Sequence, residues 1–374
     1  MIALRAPHLG GARLAQLVDE FGGADRLVHA SAGDLRRAGL SDDTISALHK
    51  PDSARLQSDL DWLSADGHDL LAWDDERFPP LLREIPSPPA ALYVAGDPDV
   101  LWQPQLAVIG SRNPTAGGKD NARNFAGELA RRGLTITSGM AAGIDSLAHE
   151  AALDAGKTTI AVMGTGLDII YPDSGRKLAG RILERGALVS EFPPGTAPRR
   201  ANFPSRNRII SGLSLGVLVI EAGLRSGTLI TARLAAGQGR DVFALPGSIH
   251  NPLAKGCHRL IREGARLVES VAEILQELGP LAGQLAERLQ GELTSHANGQ
   301  PELELDPVDP QLEFDSDYRQ LWSCLSHDPK VVDTIIEQSG LTARAVSAML
   351  LMLELRGMVE AHPGGAFSRK TRGQ

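Results

Sequence analysis

Among its 374 residues the chain holds two cysteines, Cys257 and Cys324. They stand far apart and outside any metal-ligand spacing, so neither a disulfide framework nor a zinc site is expected. No stretch of about 18 apolar residues occurs, which argues against a membrane-crossing helix. The opening MIALRAPHLGGARLAQLV has no apolar core followed by a small-residue cleavage site, so a secretory signal is not expected either. A cytoplasmic protein with free thiols is the resulting expectation. Catalytic signatures are equally scarce. HEAALDAGK carries His149 and Glu150 but no second histidine at zincin spacing. There is no GxSxG elbow, no phosphate-loop lysine and no close pair of functional carboxylates. Asp145, His149 and Asp168 are the remaining acid or base candidates. Asp145 is placed to cap the helix that follows it, and His149 lies one turn into that helix. No catalytic residue, metal or cofactor is therefore expected.

A formal net charge of −8 argues against a chain that coats nucleic acid indiscriminately. The charge is unevenly spread, however. Residues 281–312 carry six acidic side chains (Glu287, Glu292, Glu302, Glu304, Asp306, Asp309) and one basic, Arg288, a net of −5. Residues 175–225 carry nine basic side chains (Arg176, Lys177, Arg181, Arg185, Arg199, Arg200, Arg206, Arg208, Arg225) against three acidic (Glu184, Glu191, Glu221), a net of +6. The acid lies mostly in a linker-like stretch and the base in a folded one. A local basic face is compatible with the acidic total, and so is a solvated surface of mixed sign.

Four segments separate along the chain. Residues 1–70 read as short helices: GGARLAQLVDEFGG and SAGDLRRAGLSDDTISALHK place apolar residues at helical spacing between glycines, in the manner of a SAM or helix-hairpin-helix bundle. Residues 71–280 begin with a proline-rich lead-in, DDERFPPLLREIPSPPAALYVAG, expected to be irregular. Strands and helices then alternate. The candidate strands are LAVIG (106–110), LTITSG (134–139), TTIAVMG (158–164), ALVSE (187–191), GVLVIEA (216–222) and DVFALPG (241–247). They are apolar along their length, as in a parallel sheet covered on both faces. The expected fold is α/β, a Rossmann-like, doubly wound, mainly parallel sheet. Residues 281–314 read as an acidic flexible linker. Residues 315–374 give three helices and a hairpin around a Pro-Gly-Gly turn, a winged-helix pattern.

Nearly every strand of the central domain ends in a loop of small residues. These are Gly110-Ser111-Arg112; Ser138-Gly139-Met140-Ala141 with Gly143; Gly164 and Gly166, followed by Asp168 and Tyr171; and Ser226-Gly227-Thr228. Small residues let main-chain N–H groups approach anions, and helix N-termini add their dipoles. One such loop marks a tight turn as readily as a site. Several on one edge of one sheet describe an extended anion-binding trough. FPSRNRIISGLS adds charge: Arg206 and Arg208 flank Asn207 just before a helical pattern, where cations oppose the dipole unless an anion is near. A salt bridge to Glu191 or Glu221 would satisfy them equally. Arg112 and Lys255 extend the trough, and Tyr171 and Phe203 offer ring faces for stacking on bases.

These motifs, in this order and spacing, resemble the DprA/Smf family of DNA-processing proteins. They are GSR (110–112), SGMAAGID (138–145), GTGLDIIYP (165–172 with Gly164 ahead), SEFPPG (190–195), FPSRNRIISGLS (203–214), EAGLRSGTLITA (221–232), VFALPGS (242–248) and GCHRLIREGA (256–265). The likeness covers roughly residues 75–275 and fits the family's three-part layout. It implies a non-catalytic protein that binds single-stranded DNA through the Rossmann-like domain, protects incoming strands in natural transformation and helps load RecA on DNA coated by single-strand binding protein. By the same resemblance Arg112 grips a phosphate, the small-residue loops line one groove, and a homodimer forms through His258, Ile261 and Leu267. RecA contact falls near the ITARLAAG helix. One departure stands out: Asp173-Ser174-Gly175 occupies the place where many members carry a DNA-contacting lysine and then an asparagine. Arg176 or Lys177 is expected to serve instead.

Two other readings were weighed. Nucleoside-monophosphate phosphoribohydrolases of the lysine-decarboxylase-like group carry PGGxGTxxE, whereas here Thr231 stands where that glutamate would be. A duplex-DNA regulator would use helix 342–356, whose bases are Arg344 and Arg356 alone, which is thin for phosphate anchoring.

Overall fold

The computed structural model describes residues 1–279, apart from 7, 8 and 10, and residues 316–369, apart from 327, 328, 356–358 and 363–365. The expected acidic linker lies outside the described residues. The chain forms two compact units, Met1–Ile274 and Leu275–Gln374. Among the described residues no helix is long and apolar enough to cross a membrane.

The first unit opens with helices α1 (Gly11–Phe21), α2 (Ala24–His29), α3 (Ala32–Arg37), α4 (Asp42–His49) and α5 (Ser53–Leu63). Side-chain caps set their starts. Ser31 accepts from Asp34 N, Ser41 from Thr44 N, and Asp52 from Ala54 N and Arg55 N. Leu14, Leu17, Leu27, Leu35, Ile45 and Leu48 form their small core. Arg5 fastens this layer to the rest. Its Nε donates to the fully buried carboxylate of Asp59 at 2.6 Å, and its Nη2 to Pro194 O at 2.9 Å.

A nine-stranded sheet follows: β1 (His68–Ala72), β2 (Ala91–Gly96), β3 (Gln105–Ile109), β4 (Thr135–Ser138), β5 (Thr159–Val162), β6 (Ala187–Ser190), β7 (Gly216–Val219), β8 (Asp241–Ala244) and β9 (Arg266–Leu267). Their order in space is β1-β2-β6-β5-β4-β3-β7-β8-β9. From β6 to β9 every pairing is parallel, while β1 and β2 join antiparallel at one edge. The mainly parallel, doubly wound architecture is thus present.

Helices cover both faces. On one side α7 (Ala116–Arg131), α8 (Ile144–Asp154) and α9 (Arg176–Leu183) pack in a row. On the other, α10 (Asn202–Leu213) packs on α11 (Thr228–Gly237) and on the short α6 (Pro80–Arg83). α12 (Lys255–Arg262) closes the β8 end. Strand residues alternate between the two cores. Val94, Ala187 and Val189 join the α10–α11 side, and Tyr93, Ala95 and Leu188 the α9 side. Both sets are apolar, which is why the strands read as continuous hydrophobic runs.

Three expectations need correction. The lead-in is not irregular throughout, since it contains α6 and the buried strand β2, and the boundary expected at 70–71 falls inside β1. The prolines end at Pro89, and the apolar ALYVAG after them is free to pair with β6. The parallel strands are also shorter than expected, because their last residues peel away into the small-residue loops.

The second unit holds helices Ser316–Cys324, Val332–Ser339 and Ala343–Leu355, with a small antiparallel sheet in the order Lys330–Val331, Ala366–Arg369, Val359–His362. Leu321, Ile335, Val346, Leu350 and Val359 fill its core. This is a winged helix, with one short strand more than the hairpin expected. The Pro-Gly-Gly turn, Arg356 and the side chain of Arg344 lie outside the described residues.

Removing the guanidinium in Arg5→Ala leaves Asp59 charged in an apolar layer. We expect a loss of about 3 kcal/mol, read as a lower urea midpoint with an unchanged slope.

Candidate nucleic-acid interface

The carboxyl ends of the parallel strands lie along one edge, and the order in which successive strands are added reverses between β3 and β7. The loops there are tied to one another. Thr228 Oγ1 donates to Gly110 O at 3.1 Å, joining the β7 and β3 loops. Ile144 N donates to Ser111 O at 3.1 Å, joining β4 to β3. Gly143, at φ +87°, lies against the carbonyls of Ser111 and Arg112, where no side chain fits. Gly110 is held as closely, since a Cβ there would come within 2.7 Å of Ile144. Arg112 projects from this knot into solvent, with no side-chain hydrogen bond or ion pair among the described residues. Ser111 Oγ, by contrast, accepts from Asn113 N at 3.1 Å.

The FPSRN arginines are placed differently from expectation. Helix α10 starts at Asn202, so Arg206 and Arg208 sit inside it and not ahead of it. Pro204 misleads the eye, because a proline in a first turn costs a helix no hydrogen bond. Arg206 is 5% exposed. Its Nη1 donates to Gly139 O at 2.6 Å and also to Val162 O, bridging the ends of β4 and β5. Burial lowers its pKa to about 10, and the nearby Asp145 works against that shift. Its guanidinium carbon lies 5.9 Å from the Phe203 ring. Arg208 pairs with Glu191 at 2.6 Å and donates to Ser87 O at 2.8 Å. Neither arginine offers a free cation to the trough. Asn207 is half-buried, its Oδ1 accepting from Arg206 Nε at 3.3 Å.

Around the β5 loop the Phe203 ring packs over Gly164 and lies 5.6 Å from the Tyr171 ring. Tyr171 is 47% exposed, so this pair presents an open aromatic face. Gly166 is hemmed in by Pro193 O and by the Asp168 carboxylate, which itself accepts from Gly195 N at 2.9 Å. Ser138 donates to Val108 O at 2.7 Å, and Met140 is buried at φ +57°, so both build the loop from inside. Ala141, Ser226 and Gly227 remain at or near the surface. Asp173 is paired with Arg176 at 2.6 Å on an open surface. Lys177, next to it, is exposed and without a partner. Such a surface pair is weak, and a phosphate can compete for Arg176. Lys255, the first residue of α12, is likewise exposed and unpartnered. Three further cations not singled out from the sequence are exposed and have no side-chain partner among the described residues: Arg199, Arg200 and Arg225. The +6 balance of residues 175–225 was the signal that could have found them.

The acid and base candidates are committed elsewhere. Asp145 does not cap α8, whose N-cap is Gly143. It sits in the first turn, reaches back to Ala141 N at 3.4 Å and faces Arg206, and burial raises its pKa. His149 is fully buried, with Nδ1 2.7 Å from Thr159 Oγ1. That hydroxyl donates to Ile136 O at 2.6 Å, so the imidazole must donate through Nδ1. Its Nε2 has no partner. Burial, with Arg206 adding to it, pushes the imidazole down to about 3 and keeps it neutral.

On the far edge His258 Nε2 lies 3.0 Å from Gly247 O, and Ile261 packs against the sheet core. Leu267 is 48% exposed on β9, the edge strand.

Comparison with known proteins gives a consistent picture. The family model described as DNA recombination-mediator protein A matches residues 69–279, and that of the DprA winged helix domain matches residues 303–365. Protein Smf of Escherichia coli is 43% identical over 338 residues, covering 90% of this chain and 87% of that protein. DNA processing protein DprA of Streptococcus pneumoniae is 47% identical over 203 residues, covering 54% of this chain and 72% of that protein. Its X-ray structure superposes with a TM-score of 0.67 at 38% identity, covering 74% of this chain and 95% of that one. A structure of DNA processing protein A from Helicobacter pylori, described by its single-stranded DNA binding mode, superposes with a TM-score of 0.52 at 32% identity. It covers 56% of this chain and 95% of that one.

The buried imidazole carries a pH dependence. An unfolded histidine titrates near 6.5, whereas His149 stays neutral in the fold down to about 3. The unfolded state therefore binds the extra proton, and stability falls as pH drops below 6.5. Between pH 7 and pH 5 we expect about 2 kcal/mol of this loss in the wild type. His149→Gln should lack it, as measured by urea midpoints at the two pH values.

Proposed function

Because the chain belongs to the DprA/Smf family of DNA-processing proteins, we propose that it binds single-stranded DNA along the carboxyl edge of its parallel sheet, without catalysing a reaction on it. The observation that carries this reading is a series of exposed cations, Arg112, Lys177, Arg199, Arg200, Arg225 and Lys255, which have no hydrogen bond or ion pair among the described residues and stand in the loops or first helical turns after five parallel strands. Between them lies the open aromatic pair Tyr171 and Phe203. Single grips repeated at intervals suit a polymer of phosphates, and ring faces suit unpaired bases of any sequence. A cationic lining with stacking platforms is how sequence-tolerant single-strand binding works in general. The family's role in transformation supports protection of incoming strands and their transfer to RecA in the presence of single-strand binding protein. The phosphoribohydrolase reading is not favoured, since Thr231, at the place of that group's glutamate, is a buried neutral hydroxyl. The winged helix is assigned an auxiliary, partner-binding role.

A homodimer through His258, Ile261 and Leu267 completes the proposal. Leu267 is an exposed leucine on an edge strand, and Ile249, in the loop after β8, is 72% exposed. Edge strands with apolar side chains invite pairing.

Two measurements test this reading. Arg112→Ala should weaken oligo-dT binding several-fold and flatten the plot of log affinity against log salt by about 0.7, one phosphate contact on a single strand. Arg206→Met should weaken binding with the slope unchanged, because its guanidinium holds the loops and touches no phosphate. Equal slopes for Arg112→Ala and wild type remove Arg112 from the interface. For the dimer, Leu267→Arg should halve the mass measured by light scattering, and a mass that stays at twice the chain rejects the interface.

A further inference from the structure

The reversal point between β3 and β7 is where open α/β sheets of this kind hold ligands, with phosphate at the N-terminus of the helix after the first strand. Here that helix is α7, sixteen residues long and capped by Thr115. Its N-terminus is already occupied. The carboxylate of Glu221, from the end of β7, accepts from Thr115 N at 2.9 Å and from Thr115 Oγ1 at 2.6 Å. Asn251 Nδ2 approaches it at 3.3 Å. Glu221 is 6% exposed, and its carboxylate fills the space where Gly118 would carry a Cβ. An anion is therefore built into the chain at the spot where a nucleotide-binding relative of the fold receives one from solution.

We propose that Glu221 determines the ligand class: its carboxylate fills the phosphate seat of the crevice, so the fold refuses free nucleotides and offers phosphates only the outer rim. The part concerning the rim rests on the single-stranded DNA reading, and the part concerning the crevice does not. Gly118 belongs to the same device, because any side chain there would expel the carboxylate. A negative charge in the seat also repels a nucleoside monophosphate that enters base-first. Phosphates of a strand are then held one at a time by the rim cations and not drawn into the sheet.

The test uses the full chain as wild type, Glu221→Ala and Glu221→Gln, with AMP and inorganic phosphate as probes in calorimetry and thermal melting. Wild type and Glu221→Gln, whose seats remain filled, should give no heat with millimolar AMP. Glu221→Ala should bind AMP and gain a few degrees of melting temperature in phosphate, by mass action on an opened anion site. Should Glu221→Ala not fold, Glu221→Ser, whose short side chain also empties the seat but offers a hydroxyl to water there, carries the same expectation. AMP binding by wild type, or a folded Ala or Ser variant indifferent to both probes, overturns the proposal. AMP binding by Glu221→Gln also overturns it, because charge and not occupancy would then be the bar. An oligo-dT titration of wild type runs alongside. Its failure would sink the single-strand reading and leave the crevice result standing.

Discussion

A single buried guanidinium organises the functional edge of this protein. Arg206 has exchanged water for two main-chain carbonyls, Gly139 O and Val162 O, which end adjacent parallel strands. A charge so placed is tolerated only with its donors satisfied and a counter-charge near, and Asp145 supplies the latter. Much else follows from that position. Gly139 has to be glycine, because the guanidinium lies where its Cβ would be. Phe203 is held between the same arginine and Gly164, and so turns toward Tyr171. The arginine thus shapes the trough without being part of its surface.

In the proposed interface the attraction comes from other residues. The exposed cations follow five different strands, and the β3, β4 and β7 loops are fastened together by hydrogen bonds, Thr228 to Gly110 and Ile144 N to Ser111. Fixing the loops in advance lowers the ordering cost of holding a flexible strand. The exposed acid Asp173 does not undo this, because Arg176 is already beside it. In the proposed scheme Glu221 complements these cations from inside, ending a helix dipole within the chain and leaving the rim to bind phosphates.

The parallel strands were legible in the sequence because they are buried on both faces and so read as unbroken apolar runs closed by glycine. The antiparallel edge was not. His68 and Asp69 make β1 look polar, and the prolines ahead of Ala91 hide β2. The small-residue loops were legible as close-approach points, and the contacts at Gly110, Gly139, Gly143 and Gly166 give each its physical reason. Arg206 and Arg208 were expected ahead of a helix that in fact begins at Asn202, while the alternative of a salt bridge to Glu191 holds for Arg208. Arg199 and Arg200 were counted in the charge balance but not singled out, since nothing in their immediate sequence marks them from other surface arginines.

Side-chain type and spacing suffice to establish an α/β sheet with small loops at its strand ends, a basic stretch in the middle of the chain and the family these motifs belong to. They do so because strand periodicity, glycine tolerance and formal charge are local properties. Which charges are free is not local. Arg208 is neutralised by Glu191, Arg206 by carbonyls of two other strands, and the α7 N-terminus by Glu221 more than a hundred residues away. Each outcome depends on desolvation and on partners that only the folded chain brings within hydrogen-bonding distance. Folding therefore sorted the arginines into scaffold and surface, and the same sorting left Arg112 exposed.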